Sequence, residues 1–531
     1  MVTVQEIRGI PAVVENYLAH FYELITWRDL WLTVVTLGFV WFLVHITPFS
    51  VVLREDAYNF AVKGMEISVG DFSLDRPQAI GWPLLLGLVF SVLSVENIFE
   101  AMYVSRWTSL ICTALAVFAL GKTCGVMFPG RAHRSLAVLI VLGYVSNSLV
   151  YSMSRSAMSE AIFLLCVIGV VYYSARAADN EAPNLRDLAI AALIAAASYY
   201  VRPNGLFVFA ALLLAVVLQS RGSVRSVLAA LSVCVAVFVV SVSPYLYARF
   251  AAFGSPFDYG PNSKYFVEDY EHVWADNVAS PSLWEFLSTH SIDELYTRFV
   301  ERGLLAVLDD AGSRVLEPPW ALLVIVGALA IFGYRKRRAY IVPFTLAVSV
   351  AGLSIVYAVF GTVRHLFYLL PVLLLCGGGT FYLFERYRVP VQSIAVTVLV
   401  LVMAVDPPAW AWMGPDQRQI PQVQDHWAVW AANNIEGTVA IVEGGDYVKM
   451  SQHYEPTGWR VAKRFADVEP HIDLWRPGIY QNLDEALIEF RQKGVRFLIT
   501  DNESMKRRPY LDLVSSAPSS FVLATIRPSS R

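Results

Sequence analysis

The sequence has 531 residues, of which 56% are hydrophobic and only 16% are charged, and its formal net charge is -3. Soluble domains carry roughly 25% charged residues, and a single core stops growing near about 250–300 residues. One ordinary soluble core is therefore excluded. The sequence has no basic stripe with interleaved aromatic residues, so nucleic acid is not an expected partner.

The apolar residues form about twelve runs of roughly 16–22 residues, which fit helices that cross a lipid bilayer. Residues 1–29 are mixed and amphipathic and lack the cleavage site of a signal peptide, so the first run is expected to direct membrane insertion. The runs are 30–49, 82–97, 103–121, 135–150, 158–175, 187–201, 204–219, 226–248, 318–334, 340–358, 366–383 and 390–405.

The cationic residues predict the orientation, because cytoplasmic loops are enriched in Lys and Arg. The cluster RKRR at 335–338 lies between two runs and is assigned to the cytoplasm. Counting outward from it leaves the loops 50–102 and 251–317 outside. This assignment requires that the short run 82–97, which follows Gly81 in a GWP motif, does not cross the membrane. We therefore predict about eleven spans and a surface helix at 82–97.

The C-terminal region has a different pattern. TVAIVE (438–443) and VRFLITD (495–501) read as buried strands, and NLDEALIEFRQKG (482–494) reads as an amphipathic helix that ends at a Gly. Strand, helix and strand favour a small α/β domain. The predicted organisation is a cytoplasmic segment 1–29, an all-α membrane domain 30–406 and an extracytoplasmic α/β domain 407–531.

Polar residues that could carry chemistry lie on the predicted outer side. Glu55 and Asp56 follow the first span, and such carboxylates can act as a general base or bind a divalent cation. Glu160 lies just inside the start of a span, where an ionisable residue is costly unless it is paired or faces water. Arg202 lies in a tight RPNG turn. Each has a structural alternative, namely a solvated loop pair, a carboxylate stabilised by the helix dipole and an incidental turn residue.

The motif RHLFYLLP at 364–371 begins a span at the outer face. An Arg and a His at a helix start, with an aromatic residue one turn later, suit the capture of a phosphate. Arg364, His365 and Tyr368 are therefore candidate phosphate-binding residues. The alternative is a snorkelling Arg beside an interfacial belt of aromatic residues.

Five motifs occur in an order that resembles a known family. They are RED (54–56), GWPLLLG (81–87), YSMSRSAMSE (151–160), YVRPNG (200–205) and RHLFYLLP (364–371). Their layout is similar to that of the membrane glycosyltransferases of the GT-C superfamily, especially the protein O-mannosyltransferases and the bacterial aminoarabinose transferases. The resemblance covers roughly residues 30–405, and the C-terminal region corresponds to the superfamily's outer domain in position only.

This resemblance implies an inverting transferase that takes a sugar from a polyprenyl-phosphate donor. The acceptor hydroxyl could belong to a glycan, a lipid or a protein. The resemblance assigns Asp56 to the acceptor, with Glu55 as its partner. It assigns the donor phosphate to Arg364 and His365, with Arg202 as a further contact.

The resemblance leaves the cofactor open. Glu160 corresponds to an acid that often helps to bind a divalent cation such as Mg or Mn, here together with Asp56. Many relatives have Arg-Pro-Asp at this point, whereas this chain has Met-Ser-Glu, so metal dependence is undecided. No nucleotide cofactor is expected, since the sequence has neither a GxGxxG nor a Walker motif.

Two other functions fit the same hydropathy. A transporter or flippase of lipid-linked sugars would need charged residues near the middle of its spans, and these are sparse. A polysaccharide ligase would use a large outer loop with a catalytic His or Arg, which 251–317 could supply. The transferase is the leading hypothesis because the polar residues converge on one side.

Overall fold

The structure is a computed structural model. It describes residues 30–46, 55–74, 78–96, 98–128, 133–178, 183–219, 223–257, 264–267, 273, 281–316, 318–361 and 363–386, together with five β-strands between 438 and 526. The predicted segment 1–29 and the predicted span 390–405 lie outside the described residues.

The membrane domain is helical because its apolar runs satisfy their backbone hydrogen bonds internally. The first ten helices are α1 (Leu30–Ile46), α2 (Glu55–Ser68), α3 (Gly81–Leu93), α4 (Ile98–Met127), α5 (His133–Val145), α6 (Ser148–Arg155), α7 (Glu160–Ala177), α8 (Leu185–Val201), α9 (Gly205–Gln219) and α10 (Val224–Phe253). Polar and glycine residues mark several ends. For example, the Asn184 side chain caps α8, and Gly254 ends α10 with a φ of 72°.

The second half of the domain is more irregular. Its α-helices are α11 (Leu283–Thr289), α12 (Ile292–Tyr296), α13 (Ala306–Asp310), α14 (Pro318–Gly333), α15 (Ile341–Phe360), α16 (Leu370–Gly378) and α17 (Phe381–Arg386). Two π-helical segments, Thr297–Leu305 and Ala311–Val315, flank α13, and 3-10 helices cover Arg337–Ala339 and Val363–Leu369. The segment Val363–Leu369 carries the RHLFYLLP motif.

Among the described residues, five helical stretches are long and apolar enough to cross a membrane, and a bent pair would make six. The bent pair, 136–145 and 148–155, turns by 59° at Asn147. Four further apolar helices are shorter. The prediction of about eleven spans is therefore neither reached nor excluded by the described helices, and it remains a prediction.

The run 82–97 corresponds to helix α3, which has 13 residues. At about 1.5 Å per residue, α3 is roughly 20 Å long, which is shorter than the hydrocarbon core of about 30 Å. Its outward side exposes Leu88, Val92 and Leu93, while Trp82 and Phe90 are buried. This length fits the predicted surface helix.

The spans differ in how they are packed. The stretch Val363–Leu383 is 94% buried over its apolar window, whereas α10 is only 22% buried. Helix α7 packs against α4, α8 and the segment Val363–Leu369. Most of the stretch Val363–Leu383 therefore lies on the inside of the helical bundle, and α10 lies at its edge.

The C-terminal strands form one mixed sheet. The strands are β1 (Thr438–Val442), β2 (Asp473–Leu474), β3 (Phe497–Thr500), β4 (Leu511–Val514) and β5 (Val522–Ile526). Their order is β2-β1-β3-β5-β4, with β1 parallel to β2 and β3 and with β5 antiparallel to β3 and β4. The two predicted strands are β1 and β3. The predicted helix 482–494 lies outside the described residues, so the α/β domain remains a prediction.

Candidate active site

Four charged side chains from four separate elements meet at one end of the bundle. Asp56 lies in the first turn of α2, Glu160 is the first residue of α7, Arg202 ends α8, and Arg364 lies in the 3-10 helix Val363–Leu369. These four residues are called the charge cluster below. They come from four of the five motifs that the sequence analysis singled out.

Arg364 joins the two carboxylates. Its Nη1 donates to Asp56 Oδ2 at 3.0 Å, and its Nε donates to Glu160 Oε1. Arg202 Nη1 lies 3.3 Å from the same Glu160 Oε1. The order Asp56, Arg364, Glu160, Arg202 thus alternates in sign, and the formal charges of the cluster sum to zero.

The cluster is graded from buried to exposed. The Glu160 side chain is 1% exposed, that of Arg202 is 15%, that of Arg364 is 34% and that of Asp56 is 45%. A buried carboxylate is costly unless it is paired, and two guanidinium groups offset that cost at Glu160. Asp56 and Arg364 are therefore the members of the cluster that a substrate can reach.

The inner end of the charge cluster, at Glu160 and Arg202, is buried and has spare hydrogen-bonding capacity. Glu160 Oε2 is buried and accepts no hydrogen bond from any described residue. Burial lowers the pKa of the Arg202 guanidinium, and the adjacent Glu160 carboxylate opposes that shift. Both observations indicate a site shielded from water, where charges interact more strongly than in bulk solvent.

His365 and Tyr368 lie beside Arg364 but do different things. The ring of His365 is partly buried, edge-on to Phe360 with a centroid distance of 6.1 Å. Tyr368 is 2% exposed and packs edge-on against Phe163 of α7, with a centroid distance of 5.0 Å. His365 is thus next to the charge cluster, whereas Tyr368 supports the packing between α7 and the motif.

The structure therefore brings Asp56, Glu160, Arg202 and Arg364 into direct contact. The backbone of Glu55 begins α2, but its side chain lies outside the described part of the chain. The chemical roles predicted for all these residues remain predictions. The geometry shows only that the residues are close enough to act together.

Sequence reasoning missed the residues that hold two turns in place. Asn147 Nδ2 donates to Val315 O at 2.9 Å, tying the bend between α5 and α6 to the π-helix Ala311–Val315. Trp82 Nε1 donates to Ala157 O at 2.9 Å. The GWP motif marked Trp82 but not its partner, and nothing in the sequence points from Asn147 to Val315.

The resemblance also suggested the carboxylates of the cluster as ligands of a divalent cation, with metal dependence left undecided. Such an ion prefers several oxygen ligands. In the described residues no group of three or more His, Cys, Asp or Glu side chains could hold one, and Arg364 bridges Asp56 and Glu160. The steps proposed below therefore use the arginines, and the cation site stays a prediction.

Comparison with known proteins shows which class of protein this chain resembles. The family model of the dolichyl-phosphate-mannose-protein mannosyltransferases matches residues 75–247. That range contains α3 through most of α10, and so includes Glu160 and Arg202. No curated protein sequence matches this chain significantly.

Solved structures establish the fold. The oligosaccharyltransferase of Archaeoglobus fulgidus in complex with Zn and sulfate is 12% identical and superposes with a TM-score of 0.55, covering 88% of this chain and 67% of that chain. The A. fulgidus oligosaccharyltransferase AglB with an inhibitory peptide and a dolichol-phosphate has a TM-score of 0.54 at 12% identity, covering 90% and 70%. ArnT from Cupriavidus metallidurans bound to undecaprenyl phosphate is more distant, with a TM-score of 0.44 at 11% identity, covering 93% and 97%.

The chain is thus an integral membrane protein whose helical domain has the fold of the A. fulgidus oligosaccharyltransferase. The mannosyltransferase family model confirms the resemblance found in the motifs over residues 75–247.

Proposed function

We propose that the protein transfers a sugar from a polyprenyl-phosphate donor to an acceptor hydroxyl on the outer face of the membrane. The observation that carries the proposal is the charge cluster, in which two arginines and two carboxylates meet in a GT-C fold. The AglB structure that contains a dolichol-phosphate supports a lipid-phosphate donor for a protein of this fold.

The arginines are assigned to the donor. A phosphate leaving group gains negative charge as the bond to the sugar breaks, and guanidinium groups fixed beside it stabilise the transition state. Arg364 is the closer candidate, because it is partly exposed and offers a planar set of donors that matches phosphate oxygens. Arg202 is the second cationic group, and its ion pair with Glu160 holds it near Arg364. His365 is the residue next to Arg364.

Asp56 is assigned to the acceptor. In the proposed step the acceptor oxygen attacks the anomeric carbon, the bond from that carbon to the phosphate oxygen breaks, and the electron pair leaves with the phosphate. The acceptor proton passes to the Asp56 carboxylate, which acts as the general base. A single displacement of this kind inverts the anomeric centre. Glu55 is the neighbouring carboxylate that could share the task.

The ion pair between Asp56 and Arg364 links the two substrates. While the ion pair is intact, Arg364 neutralises the charge of the base, and Asp56 occupies a guanidinium donor that would otherwise bind the phosphate. A donor phosphate that binds Arg364 replaces Asp56 in the ion pair. Asp56 then becomes free to accept a proton when the donor is already bound. Glu160 keeps its own contact to Arg364 and so holds the guanidinium within reach.

The transporter and ligase hypotheses are less favoured. A GT-C fold with a charge cluster at one end, rather than charges at mid-span, fits group transfer at the membrane surface better than passage through it. The sugar and the acceptor are chosen by parts of the site that the charge cluster does not define. The EDTA arm of the assay below tests whether a divalent cation takes part.

The test is a transfer assay with purified protein, radiolabelled polyprenyl-phosphate sugars and a mixture of acceptors, with and without EDTA. We expect transfer in both conditions and a loss of at least about 100-fold in Asp56→Asn, since general bases contribute that much. Glu55→Gln is the companion variant. Asp71→Asn is the matched control, because Asp71 is an exposed carboxylate in the same outer loop whose pKa the Ser73 backbone N–H holds below its ordinary value.

Three results would overturn parts of this proposal. No transfer or hydrolysis from any donor would remove the transferase assignment. Near-normal activity in both Asp56→Asn and Glu55→Gln would place the base elsewhere. Loss of activity in EDTA that Mg or Mn restores would put a metal, rather than the arginines alone, beside the phosphate.

A further inference from the structure

We infer that Gly81 and Trp82, at the start of α3, are positioning residues that set the spacing of the charge cluster. The inference rests on the function proposed above. Each residue contacts the backbone just before a member of the charge cluster, and α3 itself packs on α2, which carries a third member.

Trp82 controls the turn before Glu160. Its side chain is fully buried, and its Nε1 donates to Ala157 O at 2.9 Å. Ala157 has a φ of 55°, a left-handed conformation that only Gly adopts without steric cost. A strained residue persists when its surroundings fix it, and the indole hydrogen bond does so three residues before Glu160.

Gly81 controls the turn before Arg202. A Cβ added at Gly81 would lie 2.6 Å from the carbonyl carbon of Tyr200 and 2.6 Å from the backbone nitrogen of Val201. Both neighbours are backbone atoms, so no side chain could move aside to make room. The start of α3 therefore lies directly against the last residues of α8, and Arg202 follows them.

Helix α3 also fixes α2, which carries Asp56. A Cβ at Gly87 would lie 2.5 Å from Ile67 Cγ2, and a Cβ at Gly64 would lie 2.9 Å from Leu86 Cβ. The two glycines let α2 and α3 approach closely. Contacts with one short helix, α3, thus set the positions of three members of the cluster. The fourth, Arg364, donates hydrogen bonds to two of those three.

This arrangement explains why α3 can serve catalysis without supplying a catalytic residue. The separation between Asp56 and Glu160 must match a single guanidinium, and a displacement of about 1 Å in a reacting geometry can cost on the order of 100-fold in rate. Through the GWP motif, the distance between Asp56 and Glu160 depends on how α3 packs against its neighbours.

Trp82→Phe tests the inference, because it keeps an aromatic ring and removes the hydrogen bond. We expect kcat per folded molecule to fall about tenfold or more, since the Glu160 turn shifts while the fold survives. Phe128→Leu is the matched control. Phe128 is fully buried after the end of α4 and packs against Tyr382 of α17, and neither helix carries a member of the charge cluster, so its replacement lowers the thermal midpoint but leaves kcat within about twofold.

A second pair of variants covers the Arg202 side. Gly81→Ala is expected to lower kcat at least about tenfold by pushing α3 away from α8. Gly125→Ala, where a Cβ would meet nothing within 4 Å, is its control and should be neutral.

The outcomes separate the two proposals. If the wild-type protein transfers no sugar, the proposed function fails. If the wild type is active and Trp82→Phe and Phe128→Leu lose stability alike with equal kcat, α3 is only structural and the inference fails. A lower kcat in Trp82→Phe and Gly81→Ala, with both controls near wild type, supports it. Wild-type kcat in Trp82→Phe or in Gly81→Ala overturns it.

Discussion

Replacing Asp56 by Asn removes one negative charge from the charge cluster while keeping the shape of the side chain. The formal charge of the cluster then changes from zero to +1, and the Arg364 Nη1 loses its charged partner. We expect the variant to bind polyprenyl phosphate more tightly than the wild type, although it loses transfer activity. The two effects have opposite signs because Asp56 both performs the proton transfer and competes for the phosphate ligand.

The size of the effect follows from the geometry. At the 3.0 Å separation of Arg364 and Asp56, Coulomb's law gives about 1.4 kcal/mol in bulk water and about 5.5 kcal/mol at an effective dielectric constant of about 20. The two side chains are 34% and 45% exposed, so solvent screening brings the pair to the range of exposed ion pairs, about 0.2–1 kcal/mol. A gain of about 1 kcal/mol corresponds to a Kd about fivefold lower.

The assay is equilibrium binding of polyprenyl phosphate to detergent-purified protein at low ionic strength, where screening is weakest. Asp71→Asn again serves as the control, because it removes an outer-loop charge outside the cluster. Weaker binding in Asp56→Asn would refute the reasoning. It would mean that Asp56 helps to hold the phosphate, as a carboxylate does when a metal lies between them.

Two further predictions concern stability and orientation. Glu160→Gln leaves Arg364 and Arg202 without their shared carboxylate, and removing one partner of a buried ion pair costs about 3–5 kcal/mol, so the thermal midpoint should fall together with activity. A cysteine at exposed Ser288, in the predicted outer loop, should react with a membrane-impermeant maleimide on intact cells, whereas a cysteine at exposed Ser223, in a predicted cytoplasmic loop, should react only after permeabilisation.

Each of these has a clear contrary result. An unchanged midpoint in Glu160→Gln would mean that the two arginines find other partners or repel each other little. Labelling of Ser223→Cys, but not Ser288→Cys, in intact cells would invert the topology. The native cysteines interfere little, because four of the five are buried and Cys166 is partly buried.

The helices of the membrane domain could be predicted from sequence because a bilayer allows few alternatives for the backbone. The cationic loops also predict that the charge cluster faces outward, since Lys and Arg mark cytoplasmic loops, and the labelling experiment tests that orientation. Strands β1 and β3 were recognisable from their apolar runs.

The pairings within the cluster could not be predicted. Arg364 contacts Asp56 across 308 positions and Glu160 across 204. Periodicity describes one element at a time, so it cannot choose which of several outer cations meets which carboxylate. The contacts of Gly81 and Gly87 were hidden for a related reason. A glycine in an apolar run looks the same whether a neighbour approaches it or not, and only packing reveals the difference.

The uneven burial of the spans has a consequence for sequence variation. Only 22% of the apolar window of helix α10 is buried, so one apolar residue there can replace another without disturbing a neighbour. The stretch Val363–Leu383, which contains Arg364, is 94% buried over its apolar window, and close-packed interiors respond to changes of even one methylene. Homologues should therefore accept many apolar substitutions along α10 and few in residues 363–383. The rate of substitution at each position would then show which helices face the lipid.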